Sequence, residues 1–257
     1  MTDCYFFHQG VSPLLVSVPH DGRELPESIA ETMTDAGKAL PDTDWHVARL
    51  YEFAKEIGAS MIVANYSRYV VDLNRPADDA SMYEGQRSTG LCPLQTFDGR
   101  DLYLGDAAID IEDRLARYWR PYHDKVQRVL EACRDTHGHA LLWDAHSIMS
   151  RMPTLFDGEL PILNIGTYDG RSCAASLSDA VVSAAQESPY DAVFNARFKG
   201  GHTTRHYGRP AQSVHAIQLE LAQRAYMNEQ TREYDDQKAS QLRDTLRRML
   251  AAFTMPA

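Results

Sequence analysis

Seven short apolar runs punctuate the chain, at residues 14–19, 59–65, 69–73, 140–144, 161–166, 191–196 and 214–221. Each is rich in Val, Ile, Leu or aromatic residues and short, which reads as a strand. The segments 27–37, 44–57, 107–136, 172–187 and 234–253 carry apolar residues at helical spacing instead. In 44–57, Val47, Leu50, Tyr51, Ala54 and Ile57 recur three and four apart, and Gly58 closes the pattern. In 107–136, a face built from Ile111, Leu115, Tyr118, Tyr122, Val126 and Leu130 contains Pro121, which is expected to kink or interrupt it. Strands alternating with helices predict an α/β fold, a mostly parallel mixed sheet flanked by helices. With 257 residues and no repeat or low-complexity linker, a single domain over 1–257 is expected. Residues 76–106 fit no element, and a glycine-studded loop of that length is read as a lid over the site.

Three of the apolar runs end in polar islands. Leu14–Pro19 leads into His20-Asp21-Gly22, Ala140–Trp143 into Asp144-Ala145-His146-Ser147, and Tyr69–Leu73 into Asn74-Arg75. Ligands of open α/β sheets bind at the carboxyl ends of strands. His20 alone reads as a turn residue. Together with His146 and a carboxylate it makes a candidate catalytic zinc site, whose bound water is acidified toward ~7. Two sources of the carboxylate stay open on the residues alone. Glu24 lies four positions past His20, while Asp42 and Asp44 open the 44–57 segment, where Asp44 serves equally well as an N-cap. Asp144 is placed to orient a histidine. Arg75 offers a planar fork for a carboxylate. Arg68, at the other end of the same run, reads as an ordinary ion pair.

Glu220, near the end of 214–221, is costly to bury unless it is paired or functional. It serves either as a general base or as the exposed start of a helix. The stretch 198–210 is basic and bounded by glycines, either an anion-contacting segment or a solvated hairpin loop. Within it, His202 and His206 would share a face only on a helix, which the glycines and Pro210 argue against.

A formal net charge of -10 argues against nucleic-acid or anionic membrane surfaces. No phosphate-binding glycine loop, dinucleotide fingerprint or serine nucleophile elbow is present, so no nucleotide cofactor is expected. Cys4, Cys92, Cys133 and Cys173 are scattered, which fits reduced thiols, and neither a signal peptide nor a membrane span is read. A cytoplasmic enzyme follows as the expectation.

These islands, taken in order, resemble the N-formylglutamate amidohydrolase family. The matching segments are Ser17–Gly22, Asp42–His46, Asp72–Pro76, Asp144–Ser147, Lys199–Gly201, Arg205–Pro210 and Gln218–Glu220. The resemblance implies a fold similar to zinc carboxypeptidases and the aspartoacylase group. It implies hydrolysis of N-formyl-L-glutamate to formate and L-glutamate, the last step of one route of histidine degradation. Carried over by motif, His20 and His146 become zinc ligands, Asn74 and Arg75 carboxylate binders, and Glu220 the general base. Where the related groups carry a glutamate three positions after the first histidine, this chain has Arg23; Asp44 is preferred as third ligand because its segment carries the resemblance, with Glu24 as the alternative. Arg68 resembles an arginine near the Asn-Arg pair of the aspartoacylase group, and Arg205 is a second candidate anion contact. The expected substrate is a small anionic N-acyl amino acid, and other divalent ions suit the same donors. Two rivals are a related zinc enzyme acting on another N-acyl amino acid or peptide, and a metal-free binding protein.

Overall fold

The computed structural model describes residues 3–81, 89–105 and 108–254. Its strands are β1 (Tyr5–His8), β2 (Leu14–Val18), β3 (Ser60–Ala64), β4 (Ala140–Ile148), β5 (Leu163–Gly166), β6 (Ala192–Phe194) and β7 (Val214–Ala222). They form one sheet in the order β1-β3-β2-β4-β7-β5-β6. The inner pairs β3–β2, β2–β4 and β4–β7 are parallel, as is β5–β6; β1–β3 and β5–β7 are antiparallel. The expected mostly parallel mixed sheet is therefore present. The aromatic edge strand β1 was not among the runs read as strands.

The helices are α1 (Glu27–Ala30), α2 (Asp35–Lys38), α3 (Val47–Leu50), α4 (Ile111–Arg114), α5 (Arg120–His137), α6 (Ala175–Gln186), α7 (His202–Tyr207) and α8 (Asp236–Thr254). The two faces of the sheet are packed differently. Leu14, Val16, Leu141, Trp143, Ile217 and Leu219 pack with residues of α3, α6 and α8. Leu15, Leu142 and Ala216 point the other way, toward Tyr122, Val126 and Leu130 of α5. This follows from the period-2 alternation of strand side chains. None of the described helices is long and apolar enough to cross a membrane.

Several expectations change. The run 69–73 is not a strand, because its backbone finds other partners. The Arg114 guanidinium donates to Tyr69 O and Val70 O at 3.3 and 2.9 Å, and Asp72 N–H donates to Leu91 O at 2.7 Å. A buried arginine replaces the neighbouring strand such a run would need. The segment 27–37 breaks into α1 and α2, and 44–57 gives only α3 followed by a 3₁₀ turn over Glu52–Lys55. Pro121 does not end its helix, which runs unbroken from 111 to 137, but the α pattern is interrupted by a π-turn over Leu115–Trp119 directly before it, where a proline lacking its N–H is accommodated. Finally, the glycines around 200–208 bound a helix instead of preventing one: Gly201 and Gly208 flank α7.

The chain order creates an opening. β2 and β4 stay in register only as far as Ser17↔Asp144, whereas β4 and β7 continue together to Ile148↔Ala222. The upper part of β4 thus has one free edge, at the point where the connections leave β2 in opposite directions, the place where such sheets bind ligands.

Candidate metal and substrate site

Along the α5 face of the sheet, the apolar residues Leu142 and Ala216 give way to Asp144, His146, Gln218 and Glu220 at successive register positions. Asp144 pairs with Gln218 and His146 with Glu220. All four are buried. His20, just beyond β2, and Asp44 come in from the side that β2 vacates. Donor atoms of His20, Asp44 and His146 all lie within 4.8 Å of one another.

Asp44 does not cap α3. That role falls to Asp21, whose carboxylate accepts the N–H groups of His46 and Ala48 at 3.2 and 2.8 Å. Asp44 is tied instead by its own N–H to His20 O at 3.0 Å. Its Oδ2 lies 3.0 Å from His146 Nδ1, 3.7 Å from His20 Nδ1 and 3.1 Å from Ser147 N. Glu24 stays outside this group, its N–H bonded to Asn65 O.

His20 is held by a carboxylate at its far nitrogen, Nε2 meeting Asp72 Oδ1 at 2.7 Å, while His146 Nε2 lies 3.1 Å from Asp144 Oδ1, at ion-pair distance, and 3.1 Å from Asn74 Nδ2. Both rings therefore direct Nδ1 toward Asp44. His20 Nδ1 is buried with no hydrogen-bond partner among the described residues. At His20, a carboxylate behind the imidazole and an unanswered nitrogen in front is the arrangement of a metal-binding histidine. Two imidazole nitrogens and a carboxylate oxygen fit zinc, so this group could hold a metal ion.

Electrostatics point the same way. Burial alone would push the Asp44 and Asp72 carboxyls up, but their neighbours prevail and hold both well below the usual carboxylate range. Those neighbours are His20 and His146 for Asp44, and Arg68 and His20 for Asp72. His146 is raised well above its ordinary value, because Asp144 and Asp44 outweigh the effect of burial. A positive charge is thus strongly favoured between these groups. Burial pushes the Glu220 carboxyl up to about 8, with Asp44 and Asp144 adding to the rise and His146 and Arg68 opposing it.

A cavity of about 760 Å³, its open mouth included, contains this cluster. Among its lining residues are His20, Asp44, Arg68, Asn74, Arg75, His146 and Glu220, all singled out from the sequence. Their local engagements differ. Arg68 donates to Asp72 Oδ2 at 2.7 Å and lies over the Phe97 ring at 4.8 Å. Asn74 accepts the Thr203 N–H at 2.9 Å, and its Nδ2 lies 3.1 Å from His146 Nε2. Arg75 keeps a buried Nε with no hydrogen-bond partner among the described residues. Arg205 does not line the cavity: its Nε donates to Gly200 O at 2.8 Å and its guanidinium lies over the Tyr168 ring at 4.5 Å. His202 and His206, although stacked on α7 at 5.0 Å, belong with His123 and not with the donor group.

Among the lining residues not singled out from the sequence are Arg197, Phe97 and Gln218. Arg197 lies one position before the stretch 198–210 read as basic. Phe97 comes from the loop expected to act as a lid; Thr89 of that loop also lines the cavity, while 82–88 lie outside the described residues. Gln218 accepts the Gly201 N–H on Oε1 at 2.7 Å, so its amide nitrogen faces Glu220 Oε2 at 3.2 Å. This contact needs glycine at 201, where a Cβ would come within 2.3 Å of Asn74 Nδ2.

Residues 12–227 match the family model of N-formylglutamate amidohydrolase. The chain is 49% identical to the N-formylglutamate deformylase of Pseudomonas putida over 227 residues, 87% of this chain and 85% of that protein. It is 51% identical to the N-formylglutamate deformylase of Pseudomonas aeruginosa over 236 residues, 90% and 88% of the two chains. Among solved structures, the N-formylglutamate amidohydrolase of Ralstonia eutropha JMP134 superposes with a TM-score of 0.83 at 25% identity, covering 98% of this chain and 97% of that one. An Agrobacterium tumefaciens gene product shares the fold with a TM-score of 0.74 at 18% identity, over 99% and 97% of the chains.

Proposed function

The chain belongs to the N-formylglutamate amidohydrolase family, and from that membership and the site's geometry we propose that it hydrolyses N-formyl-L-glutamate to formate and L-glutamate with a bound divalent metal ion, zinc being the best match. The observation that carries this reading is the buried His20–Asp44–His146 group beside Glu220, in a cavity that also holds Arg75. His20, Asp44 and His146 are the metal donors, with Asp72 and Asp144 fixing the two imidazoles. When bound there, the ion supplies Lewis-acid polarisation of the formyl carbonyl and makes water a better nucleophile.

Glu220 acts as general base. It takes a proton from the water that attacks the formyl carbon and returns it to the nitrogen as the C–N bond breaks. A carboxyl lifted by burial toward working pH is suited to both transfers, and a cation nearby draws its pKa back down. Gln218 fixes one Glu220 oxygen and leaves the other to meet the water. Arg75, with Asn74 beside it, holds a substrate carboxylate. Holding the amide against the base in this way lowers the barrier by fixing orientation before the chemical step. Arg68 keeps Asp72 and Asp44 ionised and adds positive potential at the cavity wall.

The test is formate release from N-formyl-L-glutamate by the purified protein, before and after chelation and with zinc restored. Release that stops on chelation and returns with zinc is the expected result. Undiminished turnover after the metal is removed discards the metal role. Turnover confined to N-acyl groups longer than formyl discards the substrate.

A further inference from the structure

The segment Leu73-Asn74-Arg75 carries the groups assigned to the substrate carboxylate, yet it belongs to no strand or helix. We propose that Trp119 and His123 are its positioning residues: they clamp the backbone on either side of Asn74, fix where Asn74 and Arg75 stand, and thereby set the affinity for substrate. The inference rests on the substrate reading above and deepens it, by naming what holds the carboxylate subsite in place.

A buried backbone carbonyl needs a donor. In a ladder the neighbouring strand supplies it; here side chains and the start of α7 do. Trp119 Nε1–H donates to Arg75 O at 3.0 Å, and His123 Nε2–H donates to Leu73 O at 2.9 Å. Between them, Asn74 O accepts the His202 N–H at 3.3 Å and lies 3.4 Å from Arg75 Nη1. Trp119 ends the π-turn and His123 lies in the first turn of α5. Being four apart, they share a helix face. That face meets two carbonyls two residues apart, with Asn74 in the middle.

The clamp is itself rigid. Leu73 O can only accept, so His123 Nε2 carries the hydrogen and Nδ1 of the neutral ring is left as an acceptor. Tyr207 Oη lies 2.9 Å from that Nδ1 and 3.1 Å from His123 O. Burial, with His202 beside it, keeps the ring neutral. The Trp119 ring lies 3.8 Å from the His123 ring, which stacks in turn on Tyr207 at 5.9 Å. Both donors are thus tied to α7 as well as to each other. What they hold reaches the chemistry: the Asn74 side chain lies between Thr203 N–H at 2.9 Å and His146 Nε2 at 3.1 Å, and Arg75 lines the cavity. Trp119 and His123 do not line it, so they act through the segment and not on the substrate. The substrate carboxylate does not react, so its contact is alike in ground and transition states, and a misplaced fork is read mainly in KM.

The test measures kcat and KM for N-formyl-L-glutamate on metal-loaded wild type, Trp119→Phe, Arg75→Met and the double variant, with His123→Leu and His123→Gln alongside. Trp119→Phe keeps a ring in the stack and removes the donor. It should raise KM about 10-fold, with metal content unchanged. His123→Leu should act in the same direction, and His123→Gln, whose amide nitrogen can replace Nε2 as donor, should recover most of the loss. With Arg75 gone its support has nothing left to position, so Trp119→Phe should add little to the loss in Arg75→Met. A residue that only stabilised the fold would lower Tm and leave KM alone. An unchanged KM in Trp119→Phe, or losses that multiply in the double variant, overturn this inference alone, whether or not His123→Leu folds. A wild-type KM in Arg75→Met overturns the carboxylate reading and this inference with it.

Discussion

His20 and His146 face the same carboxylate, yet the chain holds them in opposite ways. His146 lies inside β4, laddered to β7, and the carboxylate behind it, Asp144, precedes it by two residues on the same strand face. His20 lies past the last ladder pair of β2. The carboxylate behind it, Asp72, is 52 positions away in a segment without regular structure, itself pinned by Arg68 and by Leu91 O. One proposed donor is placed by strand geometry and the other is assembled from distant parts. A strand-borne donor should tolerate damage to its support better than an assembled one.

The largest effects test whether the two are equivalent as donors. His20→Ala and His146→Ala should each abolish tight metal binding and, with it, activity, as read by metal content after dialysis. A variant that keeps its full metal leaves the donor set. Next comes Glu220→Gln, which should retain metal but lose about 10²- to 10⁴-fold in kcat; a near-normal kcat would show that the proton goes elsewhere.

The sharpest test of the comparison removes the supports. Asp72→Ala should weaken metal affinity about 10- to 100-fold, measured by chelator competition. It should also cost about 3–5 kcal/mol in urea unfolding, because Arg68 is left buried without its partner. Asp144→Asn should do less on both counts, since β4 and Asp44 still hold the His146 ring. Equal losses would break the distinction between placed and assembled donors.

The smallest effect concerns histidines outside the donor group. Burial, with neighbouring His206, lowers His202 to about 4, and burial with neighbouring His202 holds His123 well below its ordinary value. Both are therefore neutral in the fold while the unfolded chain takes up protons below about 6.5. Their contribution to stability is complete above that pH and declines as pH falls toward the folded value. The Tm should drop between pH 7 and pH 5, and His202→Gln should flatten that slope. A Tm that rises on acidification would mean that these rings are charged in the fold.

Much of the site could be read from polar islands at the ends of apolar runs, although only His20 stands just past a strand; His146 and Glu220 lie inside β4 and β7, and Asn74 and Arg75 follow a run that is not a strand. His20, His146, Asn74, Arg75 and Glu220 stand in motifs whose order survives in the sequence, and the cavity gathers them all. The choice between cap and donor for Asp44 could not be read, because it depends on Asp21 reaching two N–H groups of α3 from another segment. Nor could the choice between Arg205 and Arg197. Both are basic and near glycines, but Arg197 lines the cavity while Arg205 is turned onto Gly200 O and the Tyr168 ring. The run 69–73 has strand composition, but a strand also needs a neighbour with free backbone groups, and Arg114 supplies the bonds instead. His202 and His206 show the reverse error: glycines that seem to forbid a helix delimit one, with Asn74 closing its first turn.

The order of the strands has a consequence for how the molecule acquires its activity. β4 pairs with β7 along its whole length, residue 140 with 214 and 148 with 222, while β2 and β3 come from the first quarter of the chain. The proposed metal donors and the proposed base can meet only after the last strand has docked between β4 and β5. Such non-local closure is slow, because loop entropy is lost before the contacts that compensate it form. A nascent chain would thus hold both histidines, and even the pair β2–β3, long before it could turn over substrate. In refolding, catalysis should return with the slowest phase and not with the first recovery of helix.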